Sequence, residues 1–208
     1  MRNSYIRSED TIYLRVSGMK LNGSLTEKNL LAAFAGESQA RNRYTFYASV
    51  AKKEGYEQIA SIFRETADNE KEHGEIFFKL LRGGIVEIEV AYPAGIIGST
   101  SKNLKAAAEG EKLEWGTLYP NFAEVADEEG FRNVARIFRM VAKIERAHEE
   151  RYLKLLVNIE QDEVYQKETS IKWICRNCGY IYEGMKAPEK CLVCEHPKSY
   201  YEAWCENY

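Results

Sequence analysis

The chain reads as mainly α: a four-helix bundle with one long crossover connection, followed by a small β-rich module at the C terminus. Three observations predict this. Residues 47–73 recur at 122–148 with a constant offset of 75 and no gap, and twelve of the twenty-seven pairs are identical, among them Gly55/Gly130, Ile62/Ile137, Phe63/Phe138 and Arg64/Arg139. Apolar residues fall at helical spacing on both sides of the two glycines, which is the signature of amphipathic helices. All five cysteines lie in the last thirty-four residues, four of them as two pairs with two residues between partners.

The bulk properties narrow the field. A chain of 208 residues, 45% hydrophobic, buries one core and carries at most a small second module. A net charge of −3 gives no reason to expect a nucleic-acid partner. No stretch approaches the roughly 20 apolar residues needed to span a bilayer, so no membrane partner is expected. Arg7, Glu9, Asp10 and Arg15 interrupt the segment 6–16, which therefore has no signal-peptide core. A cytoplasmic location is expected, and in that setting paired cysteines favour a metal over disulfides. Residues 1–23 read as an N-terminal extension without assigned function, with both Met1 and Met19 open as the start.

The bundle is expected over 24–157. Ser24-x-x-Glu27 is a capping-box pattern and opens the first helix. Its stripe runs Leu30, Phe34, Glu37, Ala40, Tyr44, Ala48 and Ala51, and Gly55 supplies the left-handed residue that turns the chain back. A second helix carries Ile59, Phe63, Thr66, Glu70, His73 and Phe77 on one face and stops at Gly83-Gly84. The segment 85–100, with Pro93, Gly95 and Gly98, is too long for a tight turn and is expected to be the crossover. A third helix aligns Leu104, Ala107, Glu111, Glu114, Leu118, Phe122 and Val125, Gly130 repeats the role of Gly55, and a fourth aligns Val134, Val141, Glu145, His148, Tyr152 and Leu155. Two hairpins joined by one crossover describe a ferritin-like bundle. The polar stretch 158–170 reads as a linker to a cysteine module at 171–208.

Each copy of the repeat ends in Glu-x-x-His, as Glu70/His73 and Glu145/His148. Residues three apart share a helix face, and two such helices facing each other can supply ligands to a pair of metal ions. With Glu37, Glu111 and Glu114, five carboxylates and two imidazoles sit on otherwise apolar stripes. Buried without partners, each carboxylate would cost several kcal/mol, whereas two divalent cations bring the set close to neutrality. Oxygen-rich ligands with one imidazole per metal suit iron or manganese better than zinc or copper. One detail breaks the repeat: Glu37 is matched by Lys112, with Glu111 and Glu114 on either side, and Pro120 lies just beyond. A kink or one-residue bulge between Glu114 and Phe122 is therefore predicted.

Cys175-x2-Cys178 and Cys191-x2-Cys194 make a four-thiolate site that fits either Zn²⁺ or a single iron. The aromatics Trp173, Tyr180, Tyr182 and Tyr200 suit a dry iron centre, and five Lys/Arg balanced by five Glu leave no basic surface on the module. Cys205 is the odd thiol and is read as a bystander.

Taken together, Gly36-Glu37-Ser38-Gln39-Ala40-Arg41-Asn42-Arg43-Tyr44, the two Glu-x-x-His tetrads, Pro93-Ala94-Gly95-Ile96-Ile97 and Lys172-Trp173-x-Cys175-Arg176-Asn177-Cys178-Gly179-Tyr180 resemble rubrerythrin over roughly residues 25–201. The resemblance implies two non-haem irons in the bundle and one iron in a rubredoxin-like module. It implies Glu37, Glu70, His73, Glu111, Glu114, Glu145 and His148 as di-iron ligands, with Glu70 and Glu145 bridging, and with Glu114 and His73 exchanging on the first iron between oxidised and reduced states. It makes Tyr44 and Tyr119 hydrogen-bond donors to ligand carboxylates, and Cys175, Cys178, Cys191 and Cys194 the ligands of the mononuclear iron. The family reduces hydrogen peroxide to water, usually as a homodimer, with electrons from rubredoxin or a nicotinamide-linked reductase. No glycine-rich dinucleotide fingerprint is present, so the donor is expected to be a separate protein. A head-to-tail dimer would bring each cysteine module to the partner's bundle. The alternatives are a ferroxidase or iron-handling bundle, and a bundle with a structural zinc ribbon. Glu195 follows Cys194 where the family more often has a small residue, and a strained turn is expected there.

Overall fold

The computed structural model describes residues 20–207, so most of the expected N-terminal extension, including the choice between Met1 and Met19, lies outside the described residues. Helix α1 (Leu25–Lys53) and α2 (Glu57–Leu80) form one hairpin, and the chain then crosses over to α3 (Thr100–Leu113), α4 (Tyr119–Glu128) and α5 (Arg132–Glu160). α3 and α4 are one long helix interrupted by a π-helical turn at Glu114–Leu118. α1 packs on α2, and α3 and α4 pack on α5. Gly55 and Gly130 sit at φ 83° and 82°, in the left-handed region that a Cβ disfavours, so each hairpin turns at the predicted glycine.

The helix ends show why the repeat is kept at Glu54 and Glu129. Ser24 caps α1 by accepting from the Glu27 amide, while Glu27 reaches back to the Gly23 amide rather than to Ser24 itself. From the other hairpin, Glu129 accepts from the Leu25 and Thr26 amides and the Thr26 hydroxyl. Its repeat partner Glu54 accepts from the Thr100 amide at the start of α3. Each hairpin turn thus places a carboxylate at the positive N-terminal end of the other hairpin's first helix, and the two-fold is locked at both ends.

Two apolar layers fill the bundle. One, towards Gly55, holds Tyr44, Tyr47, Ile59, Phe63, Leu104 and Tyr152. The other, towards Gly130, holds Leu30, Phe77, Tyr119, Val134, Phe138 and Val141. Glu37, Glu70, Glu111 and Glu145 fall between them in sequence on every helix.

The π turn corrects the expected stripe of the third helix. Its buried side does not continue along Leu118, Phe122 and Val125; it continues as Tyr119, Ala123 and Ala126. The Tyr119 amide bonds the Glu114 carbonyl, five residues back, which inserts one residue and turns the next stretch of helix by one position. The predicted bulge therefore exists and is of the π type.

The stretch 158–170 is not the bare linker expected. α5 runs to Glu160 because Ile159 still packs on the core, and strand β1 already begins at Gln166, paired with Lys186. Only a short connection remains. β1 (Gln166–Cys175) lies between antiparallel neighbours β2 (Ile181–Lys186) and β3 (Tyr201–Ala203), around a core of Trp173, Cys175, Ala187, Cys191 and Tyr201. Among the described residues no helix is long and apolar enough to cross a membrane.

Candidate metal centres

All seven bundle residues singled out from sequence are buried. Six of them converge. Glu37, Glu70, His73 and Glu145 offer atoms within 4.8 Å of one another, and so do Glu70, Glu111, Glu145 and His148. Glu70 and Glu145 belong to both groups, as bridging ligands would. Glu114 belongs to neither. Because the π turn starts at Glu114, its side chain faces Gly36 instead, with Oε1 3.9 Å from where a Cβ on that glycine would lie.

The contacts inside the cluster are close without being hydrogen bonds. His73 Nδ1 lies 2.9 Å from Glu70 and 2.8 Å from Glu145, and His148 Nδ1 lies 3.3 Å from Glu70 and 2.9 Å from Glu145. Yet neither ring nitrogen, and neither oxygen of Glu70 or Glu145, has a partner of hydrogen-bond geometry. Edges of about 3 Å are those of an octahedron with ~2.1 Å metal–ligand bonds. Lone pairs aimed at common centres account for this arrangement; donor–acceptor pairing does not.

Two tyrosines set the outer carboxylates. Tyr44 donates to one oxygen of Glu111 at 2.6 Å, and Tyr119 donates to one oxygen of Glu37. In each case the second oxygen stays buried and unpartnered, leaving it free for a cation. Such outer hydrogen bonds fix a ligand's orientation.

The charges of the protein alone do not balance. Burial pushes the carboxyls of Glu37, Glu111 and Glu114 well above the usual range, and repulsion from neighbouring carboxylates adds to it. Burial also acts on Glu145, but His148 and His73 outweigh it and hold that group low. Burial pushes both imidazoles down, and the carboxylates of Glu145 and Glu70 overcome this, lifting His73 to about 10 and His148 to about 9. Protons are thus drawn into the place that two divalent cations would neutralise. The donor set fits a dinuclear, oxygen-rich metal site.

Sequence reasoning missed Arg43 and Tyr92. Arg43 has a buried Nε without a partner, and its positive charge lowers Glu114 against burial and the neighbouring carboxylates. Tyr92, on the crossover, donates to the Ala32 carbonyl and closes over Gly36. Arg43 directly precedes Tyr44 on α1 and could have been found from that motif, but nothing in a helical stripe marks a crossover tyrosine.

At the C-terminal module the four predicted cysteines also meet. Cys175 and Cys194 sulfurs lie 3.7 Å apart, and Cys178 and Cys191 sulfurs 3.6 Å apart. Those spacings are far from a disulfide's ~2.05 Å and close to the ~3.8 Å edge of a tetrahedron with ~2.3 Å metal–sulfur bonds. The backbone shapes both knuckles. The Gly179 amide bonds the Cys175 carbonyl and the Glu195 amide bonds the Cys191 carbonyl. Gly179 is at φ 77° and Glu195 at φ 57°, so the strained turn expected after Cys194 is present. The backbone at His196 draws the Cys194 thiol down to about 6. At Cys178 the backbone of Tyr180 acts in the same sense, but burial and the other thiols prevail and push it up to about 12. Tyr201, buried beside Cys191, was not foreseen. Cys205 is exposed and stands apart from the cluster.

Fold and sites together define a ferritin-like bundle with a di-iron carboxylate site, joined to a rubredoxin-like four-cysteine iron site. The family model described as Rubrerythrin matches residues 28–156, and that described as Rubrerythrin, rubredoxin-like domain, matches residues 173–202. The chain belongs to the rubrerythrin family. It is 58% identical over 188 residues to a rubrerythrin of Porphyromonas gingivalis, covering 90% of this chain and 94% of that one. To a rubrerythrin of Nitratidesulfovibrio vulgaris it is 53% identical over 182 residues, 88% of this chain and 95% of that one. Among solved structures, nigerythrin in a partially reduced state superposes with a TM-score of 0.57 at 33% identity, over 91% of this chain and 90% of that one.

Proposed function

We propose that the chain is a non-haem di-iron peroxidase, acting in the cytoplasm and reducing hydrogen peroxide to water with electrons relayed through its four-cysteine iron centre. The observation that carries this reading is the presence, in one chain, of a buried two-metal cluster and a tetrathiolate knuckle pair. Storage or simple oxidation of iron has no use for an attached electron-input module.

Glu37, Glu70, Glu111, Glu145, His73 and His148 would hold the irons, with Glu114 the further ligand that would alternate with His73. Iron bound there would supply electrons and Lewis acidity to the peroxide. Tyr44 and Tyr119 fix Glu111 and Glu37 so that their free oxygens stay aimed inward. The two apolar layers exclude bulk water above and below the cluster. Glu114, off both ligand groups and next to Arg43, is placed to carry a proton to the leaving oxygen from its carboxyl. Cys175, Cys178, Cys191 and Cys194 would hold the third iron.

Within one chain the cysteine module rests against the turn at Gly55, through the Tyr165 hydroxyl. Glu37 is eighteen residues from Gly55, about 27 Å along a helix at 1.5 Å per residue. That length favours transfer to the bundle of a second copy, head to tail. The donor to the cysteine module is rubredoxin or a nicotinamide-linked reductase.

The test is anaerobic turnover with peroxide and, separately, with oxygen, in the wild type and in Cys178→Ser. Peroxide is expected to be preferred, with a red ferric tetrathiolate and a large loss of donor-coupled turnover in the variant. Zinc in the thiolate site, or Cys178→Ser turning over peroxide normally with its protein donor, would end the relay assignment.

A further inference from the structure

Beside Glu114 lies a cavity of about 570 Å³, far more than hydrogen peroxide needs. Two waters' share of liquid volume is about 60 Å³. Sites of ~300–1,000 Å³ are the range for small organic ligands. Gly36, Glu114 and Tyr119 line it while none of the six converging residues does, so it meets the centre through Glu114 and through Tyr119, which donates to Glu37. Its walls are apolar, from Ala33, Leu118 and Phe122, and the crossover roofs it with Ile88, Val90 and Tyr92. Among its lining residues Glu87 and Glu89 are matched by Lys28 and Arg43, a balance that gives an anionic ligand no net attraction.

We propose that this cavity seats the organic part of neutral alkyl or aryl hydroperoxides, which are reduced at the same site as hydrogen peroxide. The inference rests on the peroxidase reading above and names its wider substrate class. The O–O bond of ROOH breaks; two electrons and two protons are taken up, one oxygen leaves as water and the other as the alcohol ROH. The electrons come from the iron centres and are replaced singly by the protein donor.

The experiment compares cumene hydroperoxide with hydrogen peroxide in the wild type and in Val90→Trp. Val90 is 43% exposed on the crossover, so a larger side chain there fills the cavity from its roof without entering the core. Wild-type kcat/KM for cumene hydroperoxide above about one tenth of that for hydrogen peroxide is expected, because apolar contact offsets the cost of seating the larger substrate, a single methylene being worth ~10–200-fold. The variant should lose about tenfold or more with cumene hydroperoxide, mainly through KM, and stay within about twofold with hydrogen peroxide. Independently of turnover, 2-phenyl-2-propanol should shift NMR signals of cavity residues in metal-free protein, and Val90→Trp should abolish those shifts. A wild-type ratio below one tenth, equal losses with both peroxides, or no alcohol binding overturns the proposal. Absence of turnover with either peroxide while the alcohol still binds overturns the peroxidase reading instead.

Discussion

Tyr44 and Tyr119 stand 75 residues apart and make the same hydrogen bond in opposite directions, Tyr44 to Glu111 across the bundle and Tyr119 back to Glu37. The tyrosines keep the register of the repeat, while the carboxylates they hold are 74 apart. The π turn between Glu111 and Tyr119 absorbs the extra residue, so the symmetry of the centre survives a break in the symmetry of the sequence.

Tyr44→Phe and Tyr119→Phe should therefore have matching effects. Each removes the outer donor of one ligand carboxylate and leaves that carboxylate free to rotate. Metal affinity at the affected site is expected to fall about 10–100-fold, read by titrating Fe²⁺ or Co²⁺ into metal-free protein. A fall in one variant only would show that the two hydrogen bonds are not equivalent.

Deleting Gly116 should convert the π turn into regular α-helix. No atom lies within 4 Å of the Cβ position of this glycine, so the deletion removes no packing of its own. Because the turn accommodates one extra residue, the shortened helix has the seven-residue spacing that Glu37 and Tyr44 have on the uninterrupted α1, so Glu111 and the stretch from Tyr119 onward keep their faces. Stability within about 1 kcal/mol of wild type and two metal equivalents in the bundle are expected, measured by denaturation and metal analysis, with only the placement of Glu114 changed. A large loss of stability, or one metal equivalent lost, would show that the turn does more than absorb the extra residue.

These two cases mark what the sequence makes legible. Glu-x-x-His is readable because one helix face carries it, and its duplication is readable because nothing interrupts residues 47–73 or 122–148. The surplus of Glu111 and Glu114 signals a phase break, but a kink and a one-residue bulge differ only in which amide meets which carbonyl. That choice is made by packing of Tyr119 against Phe77 and Phe138. Tyr92, Glu129 and Tyr165 are invisible for another reason: each acts across the fold from a loop or connection, where no periodicity marks an inward side chain.

Metal-free protein should lose stability as pH rises from about 5 to about 9. Glu37, Glu111 and Glu114 are raised by burial, and His73 and His148 are raised to about 10 and about 9 by their carboxylate neighbours against burial. Each binds its proton more tightly in the folded state. Their contribution is complete below the unfolded values, ~4.3 for Glu and ~6.5 for His, and is lost as pH climbs through the folded ones. Within the bundle Glu145 is lowered and has the opposite sign, one group against five, and Cys194, drawn down to about 6, opposes them from the thiolate module. Bound metal should reverse the trend, because ligands must shed protons to bind it. Thermal melts of chelator-treated and metal-loaded samples over this range check both signs, and a metal-free Tm that climbs with pH would contradict the charge assignment.

Tyr165 should govern how the cysteine module sits on the bundle. Its hydroxyl donates to the Gly55 carbonyl at 2.5 Å, and its ring lies parallel to Tyr56, 4° from coplanar with centroids 6.3 Å apart. The same turn meets the module again at Ser199, whose Cβ is 3.7 Å from a Cβ placed on Gly55. The connection from α5 to β1 is too short to hold a second orientation by itself, so this contact fixes the angle. Tyr165→Phe removes one hydrogen bond, worth about 1 kcal/mol, and keeps the ring contact. Tyr165→Ala removes both, adding ~0.5–1.5 kcal/mol for the ring pair. Graded loss of amide-exchange protection at residues 54–56 is expected, small in Phe and large in Ala, while both metal sites keep their content. In a head-to-tail dimer the same change should slow electron delivery from the tetrathiolate iron to the bundle, more in Ala than in Phe, without altering the red spectrum. Unchanged protection in Tyr165→Ala would mean that other contacts hold the module, and unchanged electron delivery would mean that its angle does not limit transfer.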